Sequence, residues 1–179
     1  ALLLTVVSAL GFLTFKEIKQ AHLTQNQEHH SKNLPIRSDL VIPVESTFLN
    51  RSELIAHIDD NFKGEKGIQT VALVGIGGSG KTTLARQYAD QQKENLIWEI
   101  NAETNSSLID SFGNLASALS RTEGDKRSLR DLAEIKNLSE REKKIIEFVK
   151  TRLKLHSNWF LLYDNVEKFA DIQKYFPQD

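Results

Sequence analysis

The chain contains no cysteine, no methionine and only three prolines. Without cysteine, disulfides and thiolate zinc sites are excluded, and the composition suits a reducing compartment. A natural chain begins with methionine, whereas this one begins "ALLLTVVSALGFLTF", so the sequence is expected to continue upstream. An excess of one charge is missing as well: 23 Lys and Arg stand against 24 Asp and Glu, for a net charge of −1. A nucleic-acid binder shows a basic excess or stripe, so nucleic acid is not expected as a direct partner. Lys143, Lys144, Lys150, Arg152 and Lys154 do share one predicted helix. Glu140, Glu142 and Glu147 are interspersed among them, which describes a solvated face.

Long apolar stretches are scarce too. Residues Ala1 to Phe15 carry no charge and eleven of the fifteen are apolar. A membrane span needs about 20 such residues, with roughly 17 as the lower limit. Lys16 and Lys19 follow at once, which by the positive-inside tendency would keep the remainder in the cytoplasm. The favoured expectation for 1–19 is an apolar helix that anchors a cytoplasmic protein to the inner face of a membrane. A cleaved signal peptide and a buried helix of a soluble fold are the alternatives. Residues 20–47 turn polar, with Pro35 and Pro43, and read as a polar helix fading into an extended linker. His22, His29 and His30 beside Glu28 fall there; a polar linker does not converge ligands on one point, so they read as solvated side chains.

From residue 48 to 179 the pattern changes. "NRSELIAHIDDNF" offers Asn50 as a helix cap with Glu53 three residues on, and Leu54, Ile55, Ile58 and Phe62 follow at helical spacing. "IQTVALVG" is a continuous apolar run, the mark of a strand buried on both faces of a parallel sheet. "TTLARQYADQQ" is helical, "NLIWEI" a second strand, and "SSLIDSFGNLASALS" an amphipathic helix opened by Asn105 or Ser106. "RTEGDKRS" reads as a charged loop. Leu129, Leu132, Ile135 and Leu138 imply a further helical stretch, and Ser139 with Glu142 forms a capping box for a helix to about His156. "WFLLYDN" is a third buried strand ending in an acid, and "EKFADIQKYF" is helical up to Pro177. Strands alternating with helices specify an α/β fold with a parallel sheet, here three strands with flanking helices.

Between the first strand and its helix lies Gly75-Ile76-Gly77-Gly78-Ser79-Gly80-Lys81-Thr82, which fits G-x-x-x-x-G-K-[ST], the phosphate-binding P-loop. Phosphates crowd negative charge into a small volume, and backbone N–H groups can meet it if the chain wraps closely. Glycine allows that wrapping because it has no Cβ and tolerates positive φ. The helix beginning near Gly80 adds the positive end of its dipole. Lys81 supplies a full charge for the β- and γ-phosphates, the Thr82 hydroxyl is placed to ligate Mg²⁺, and Thr83 can reach the α-phosphate. A second metal-orienting acid is needed at the end of another buried strand, and Asp164 holds that position. Lys81 and Asp164 are therefore expected to carry whatever chemistry occurs at the phosphates. Asn165 follows where hydrolysing relatives usually have an acid, and an amide cannot accept the proton of an attacking water. Binding is expected, with slow or no hydrolysis.

"FLNRSEL", "GIGGSGKTTLA", "NLIWEINAE" and "FLLYDNVEKFADIQKYFP" together resemble the NB-ARC branch of the STAND signal-transduction NTPases, over about residues 45–179. The resemblance implies ADP and ATP as ligands, and a switch that is closed with ADP and opens on exchange for ATP to self-associate. It also implies Arg51 as a contact on the adenine and ribose side, with Asn50 standing where the family has glycine. It further implies C-terminal domains that hold the closed state, and a sheet in which another strand lies between the acidic strand and the P-loop strand. That strand would follow Asp179, so the core is expected to be incomplete.

Other classes remain open on the residues alone. An AAA+-like ATPase acting on protein or nucleic acid would call for an acid at position 165 and an arginine finger. A small-molecule kinase would call for an arginine lid, for which Arg121, Arg127 and Arg130 are the only support.

Overall fold

The computed structural model describes residues 35–38, 40–41, 51–62, 67–156 and 158–177. Three strands form one parallel sheet in the order β1 (Ile36–Arg37), β2 (Leu96–Asn101), β3 (Trp159–Asp164). The β2–β3 ladder runs the full length of both strands, from Leu96 opposite Trp159 to Asn101 opposite Asp164. Strand alternation then sorts the side chains. Leu96, Ile100, Trp159, Leu161 and Tyr163 turn toward one core, while Phe160 joins another on the opposite face.

The first core is built by α3 (Asn105–Leu119), α4 (Glu123–Ala133), α5 (Leu138–Lys154) and the short α6 (Phe169–Ile172). Leu108, Phe112, Leu115 and Leu119 recur at helical spacing on α3, and Ile145, Ile146, Val149 and Leu153 do so on α5; all are buried. Each such side chain taken from water contributes about 1.5–3 kcal/mol. Tyr175, in the 3₁₀ turn after α6, stacks edge-on against Phe112 with ring centroids 4.7 Å apart. The second core is smaller: α1 (Ser52–Phe62) supplies Ile58 and α2 (Lys81–Gln91) supplies Leu84 and Tyr88, against Phe160. Helices thus cover both faces, as a parallel sheet requires.

Several local expectations change. Thr104, not Asn105 or Ser106, caps α3, because its hydroxyl accepts from Ser107 N–H while the Ser107 hydroxyl reaches back to the Thr104 N–H. The stretch expected as a charged loop begins α4: Thr122 and Asp125 cap each other reciprocally, and Asp125, 6% exposed, pairs with Arg152 of α5. Asn137 rather than Ser139 caps α5. Residues expected as linker contribute β1, where Ile36 is buried against β2.

The largest difference concerns the apolar run before the glycine loop. Residues 68–75 join none of the three strands, and Val74 is 92% exposed. The run faces β3 across an open cleft of about 1520 Å³, lined on one side by Ile68 to Val74 and on the other by Trp159 to Asp164. Parallel strands gain their stability from ladder partners on both sides, and among the described residues this run has none. No helix among the described residues is long and apolar enough to cross a membrane. The expected anchor at 1–19, the histidines at 22, 29 and 30, and Asn50 all lie outside the described residues.

Candidate functional site

The glycine loop, the start of α2 and the end of β3 meet at one end of the sheet. Gly78 and Gly80 have φ of 73° and 81°, values that a side chain would oppose. A Cβ added at Gly77 or Gly78 would meet nothing within 4 Å, so that side of the loop is open. Gly80 is the N-cap of α2 and offers no side-chain cap, which leaves the first-turn N–H groups of Lys81, Thr82 and Thr83 without a capping side chain. Lys81 folds back over the loop, its Nζ donating to the carbonyls of Gly75 at 2.8 Å and Ile76 at 2.9 Å. Ser79 closes the turn through its N–H to Ile76 O at 3.4 Å. A loop of glycines, orphan helix donors and a flexible ammonium is a donor set suited to phosphate oxygens.

Thr82 and Asp164 are brought into direct contact from 82 positions apart: the Thr82 hydroxyl donates to Asp164 Oδ1 at 2.8 Å. The Asp164 side chain is only 16% exposed, and its carbonyl anchors Ala102 N–H at 2.8 Å. A hydroxyl and a carboxylate at the mouth of a phosphate loop are hard oxygen ligands that would suit a divalent cation such as Mg²⁺. Among the described residues no cluster of three or more His, Cys, Asp or Glu side chains could hold a metal by itself. Asn165, next to Asp164, adopts φ 59°, the left-handed region that asparagine tolerates better than most residues.

Arg51 is placed against the back of the loop. Its guanidinium donates to Ser79 O at 3.1 Å and Gly80 O at 3.2 Å. A Cβ at Gly80 would come within 2.7 Å of Arg51 Nη2, a second reason for glycine at that position. The arginine expected at the nucleotide therefore also clamps the turn that would cradle the phosphates.

Two residues that the sequence reading passed over sit in the same place. Arg86, one turn beyond Thr82 on α2, donates through Nε to Glu99 Oε2 at 2.8 Å and through Nη2 to Glu99 Oε1 at 2.5 Å. Nη2 also lies 3.9 Å from Asp164 Oδ2. The hydrogen bond to Glu99, aided by both carboxylates, outweighs burial and raises the Arg86 pKa further above its ordinary range. The signal was available: Glu99 is a lone acid in the apolar "LIWEI", and a buried carboxylate demands a cationic partner.

Residues 51–177 match the family model for the NB-ARC domain, a span that holds α1 through α6 and every residue of the site just described. No curated protein and no solved structure matches the chain. With the loop, the threonine and the acid on one incomplete α/β core, the chain belongs to the NB-ARC family of nucleotide-binding P-loop NTPases.

Proposed function

We propose that residues 48–179 form an adenine-nucleotide switch domain that controls the conformation and self-assembly of a larger protein. The observation that carries this reading is the contact between Thr82 and Asp164 beside the uncapped start of α2. In this reading Gly75, Gly77, Gly78, Ser79 and Gly80 surround the phosphates with backbone donors. Lys81 leaves its two carbonyls for the β- and γ-phosphates, Thr83 takes the α-phosphate, and Thr82 and Asp164 hold Mg²⁺. Arg51 serves the nucleoside side while steadying the loop. The Mg²⁺ ion supplies charge neutralisation at the phosphates, and Thr82 and Asp164 orient it.

ADP stabilises a closed form with C-terminal domains of the same protein, and ATP favours an open form that self-associates. Such a switch works because the γ-phosphate and metal bias a two-state element. Asn165 offers no base for water, so turnover is slow or absent and the bound nucleotide, rather than its hydrolysis, sets the state. The same absence weighs against an AAA+-like motor. The switch operates in the cytoplasm, with residues 1–19 as a membrane anchor.

Thermal unfolding of the chain with excess ADP, ATP and Mg²⁺ tests the reading. A ligand at 100 times its dissociation constant adds about 2.7 kcal/mol, a rise of about 5–10 °C in Tm for a chain of this size. A rise with ADP and Mg²⁺ is the expected result. An unchanged Tm in a cooperatively unfolding sample would overturn it.

A further inference from the structure

We propose that Arg86 is a positioning residue that couples the metal-facing carboxylate of Asp164 to the upstream segment 35–41. The segment would then be held on the sheet more firmly when Mg²⁺ and nucleotide are bound. This inference rests on the nucleotide site proposed above.

The segment lies outside the span matched to the family, which starts at residue 51. It nevertheless adds to the sheet edge beside β2. Ile36 N–H donates to Asn95 O at 2.8 Å and Ser38 N–H to Ile97 O at 3.0 Å. Arg37 Nη2 donates to Gln92 O at 2.8 Å. Glu99 N–H in turn donates to Ser38 Oγ at 2.9 Å. Past β1, the carbonyl of Val41 accepts from Arg86 Nη1 at 3.3 Å. An edge strand of two residues has little ladder of its own, and such elements belong to the part of a fold that opens first. Beyond those few bonds, Glu99 N–H on Ser38 and Arg86 on Val41 O are what fasten it, so its attachment responds to what those two residues do.

Arg86 divides its three nitrogens among three partners. Nε and Nη2 hold Glu99, Nη1 holds Val41 O, and Nη2 faces Asp164 Oδ2. Glu99 is tied at both ends, its backbone to Ser38 and its carboxylate to Arg86. The side chains of Arg86, Glu99 and Asp164 are 23%, 15% and 16% exposed, so their charges are weakly screened. One guanidinium thus stands between two carboxylates. A divalent cation at Thr82 and Asp164 takes one carboxylate for itself and repels the guanidinium. Arg86 is then left to Glu99 and Val41 O, which secures segment 35–41. By linkage, a secured segment raises the affinity for the metal–nucleotide pair by the same factor.

The test is amide hydrogen exchange over residues 35–41 of the full chain, with ADP and Mg²⁺, with ADP and EDTA, and with no addition. ADP binding is measured in parallel by calorimetry. The expected result is protection of 35–41 that rises about 5-fold or more with ADP and Mg²⁺, the lower end of usual couplings, and little with ADP and EDTA. In Arg86→Gln the rise disappears while ADP still binds. Because a lone Glu99 carboxylate could unsettle the fold, the paired variant Arg86→Gln/Glu99→Gln repeats the test without the buried charge. Bound ADP with exchange at 35–41 indifferent to Mg²⁺, or a rise that persists in both variants, would overturn the coupling alone. Failure of ADP to bind the wild-type chain would overturn it together with the site.

Discussion

Thr82 and Asp164 come together at 2.8 Å although α2 and β3 are separated by the whole α3–α5 layer in sequence. The contact ties the helix that follows the phosphate loop to the strand that carries the acid. It makes two roles of Asp164 separable. Asp164→Asn keeps an acceptor for the Thr82 hydroxyl and loses only the charge, whereas Asp164→Ala loses both. If the carboxylate holds Mg²⁺, both variants lose the Mg²⁺-dependent part of ATP affinity, about 10- to 100-fold for a charge-assisted contact. Calorimetric titrations of ATP with Mg²⁺ and with EDTA check this. A variant that keeps the Mg²⁺ dependence would remove Asp164 from the metal site.

Lys81 rests on the carbonyls of Gly75 and Ile76, with no carboxylate bonded to it among the described residues. Those contacts lie at an exposed loop, so Lys81→Ala is expected to change stability by less than about 0.5 kcal/mol. Affinity for ADP is expected to fall about 100-fold or more, since a charge-assisted contact contributes about 3 kcal/mol. Thermal unfolding and calorimetry on the same sample separate the two effects. Unchanged affinity would place the phosphates elsewhere.

The site was legible in sequence because each of its parts has a local cause. Gly75 to Thr82 are contiguous, and Asp164 closes an apolar run whose burial demands a strand. Contacts assembled across the sheet were less accessible. Glu99 stands out as a lone acid in an apolar strand, but nothing local names its partner, and Arg86 looks like an ordinary surface charge until β2 is seen to present Glu99 to α2. The pairing of Ile36 and Arg37 with β2 involves two residues, too few for a period to emerge from a polar stretch. The apolar run at 68–75 has the composition of a buried strand, but composition does not supply a ladder partner. Two helix starts differed by one or two positions, where Thr104 and Asn137 proved better placed than their neighbours to accept a first-turn N–H, and the charged stretch read as a loop proved to be the first turns of α4, capped by Thr122.

Asn165 carries a backbone demand beside its chemical silence. At φ 59° a Cβ-bearing residue is strained by about 1–2 kcal/mol, and asparagine is among the few that relieve this locally. Asn165→Ala is therefore expected to cost about 1 kcal/mol of stability, and Asn165→Gly to be close to neutral. Urea unfolding of the two variants decides the matter. Equal losses in both would mean that the amide side chain, not the backbone, is what matters at this position.

Glu142 gives the fold a predictable acid sensitivity. Burial alone would raise its pKa, but the Lys174 ammonium, at 2.6 Å, and the Tyr175 hydroxyl both donate to it and outweigh burial. Its carboxyl is thus held below the ordinary value of 4.5. Tyr175 is fully buried, and burial together with Glu142 pushes its phenol above the ordinary range, so it remains a donor throughout. A folded-state pKa below the unfolded one contributes stability that is present above the unfolded value and lost as pH falls through the folded value. The contribution should therefore be complete at pH 7 and decline below about pH 4.5. Glu142→Gln keeps an acceptor for the Tyr175 hydroxyl but has no charge to titrate. Its Tm is expected to lie below that of the wild type at pH 7, with the gap narrowing as the pH is lowered toward 3. A gap that stays constant across that range would mean that the Glu142 carboxylate is not stabilised by Lys174 and Tyr175.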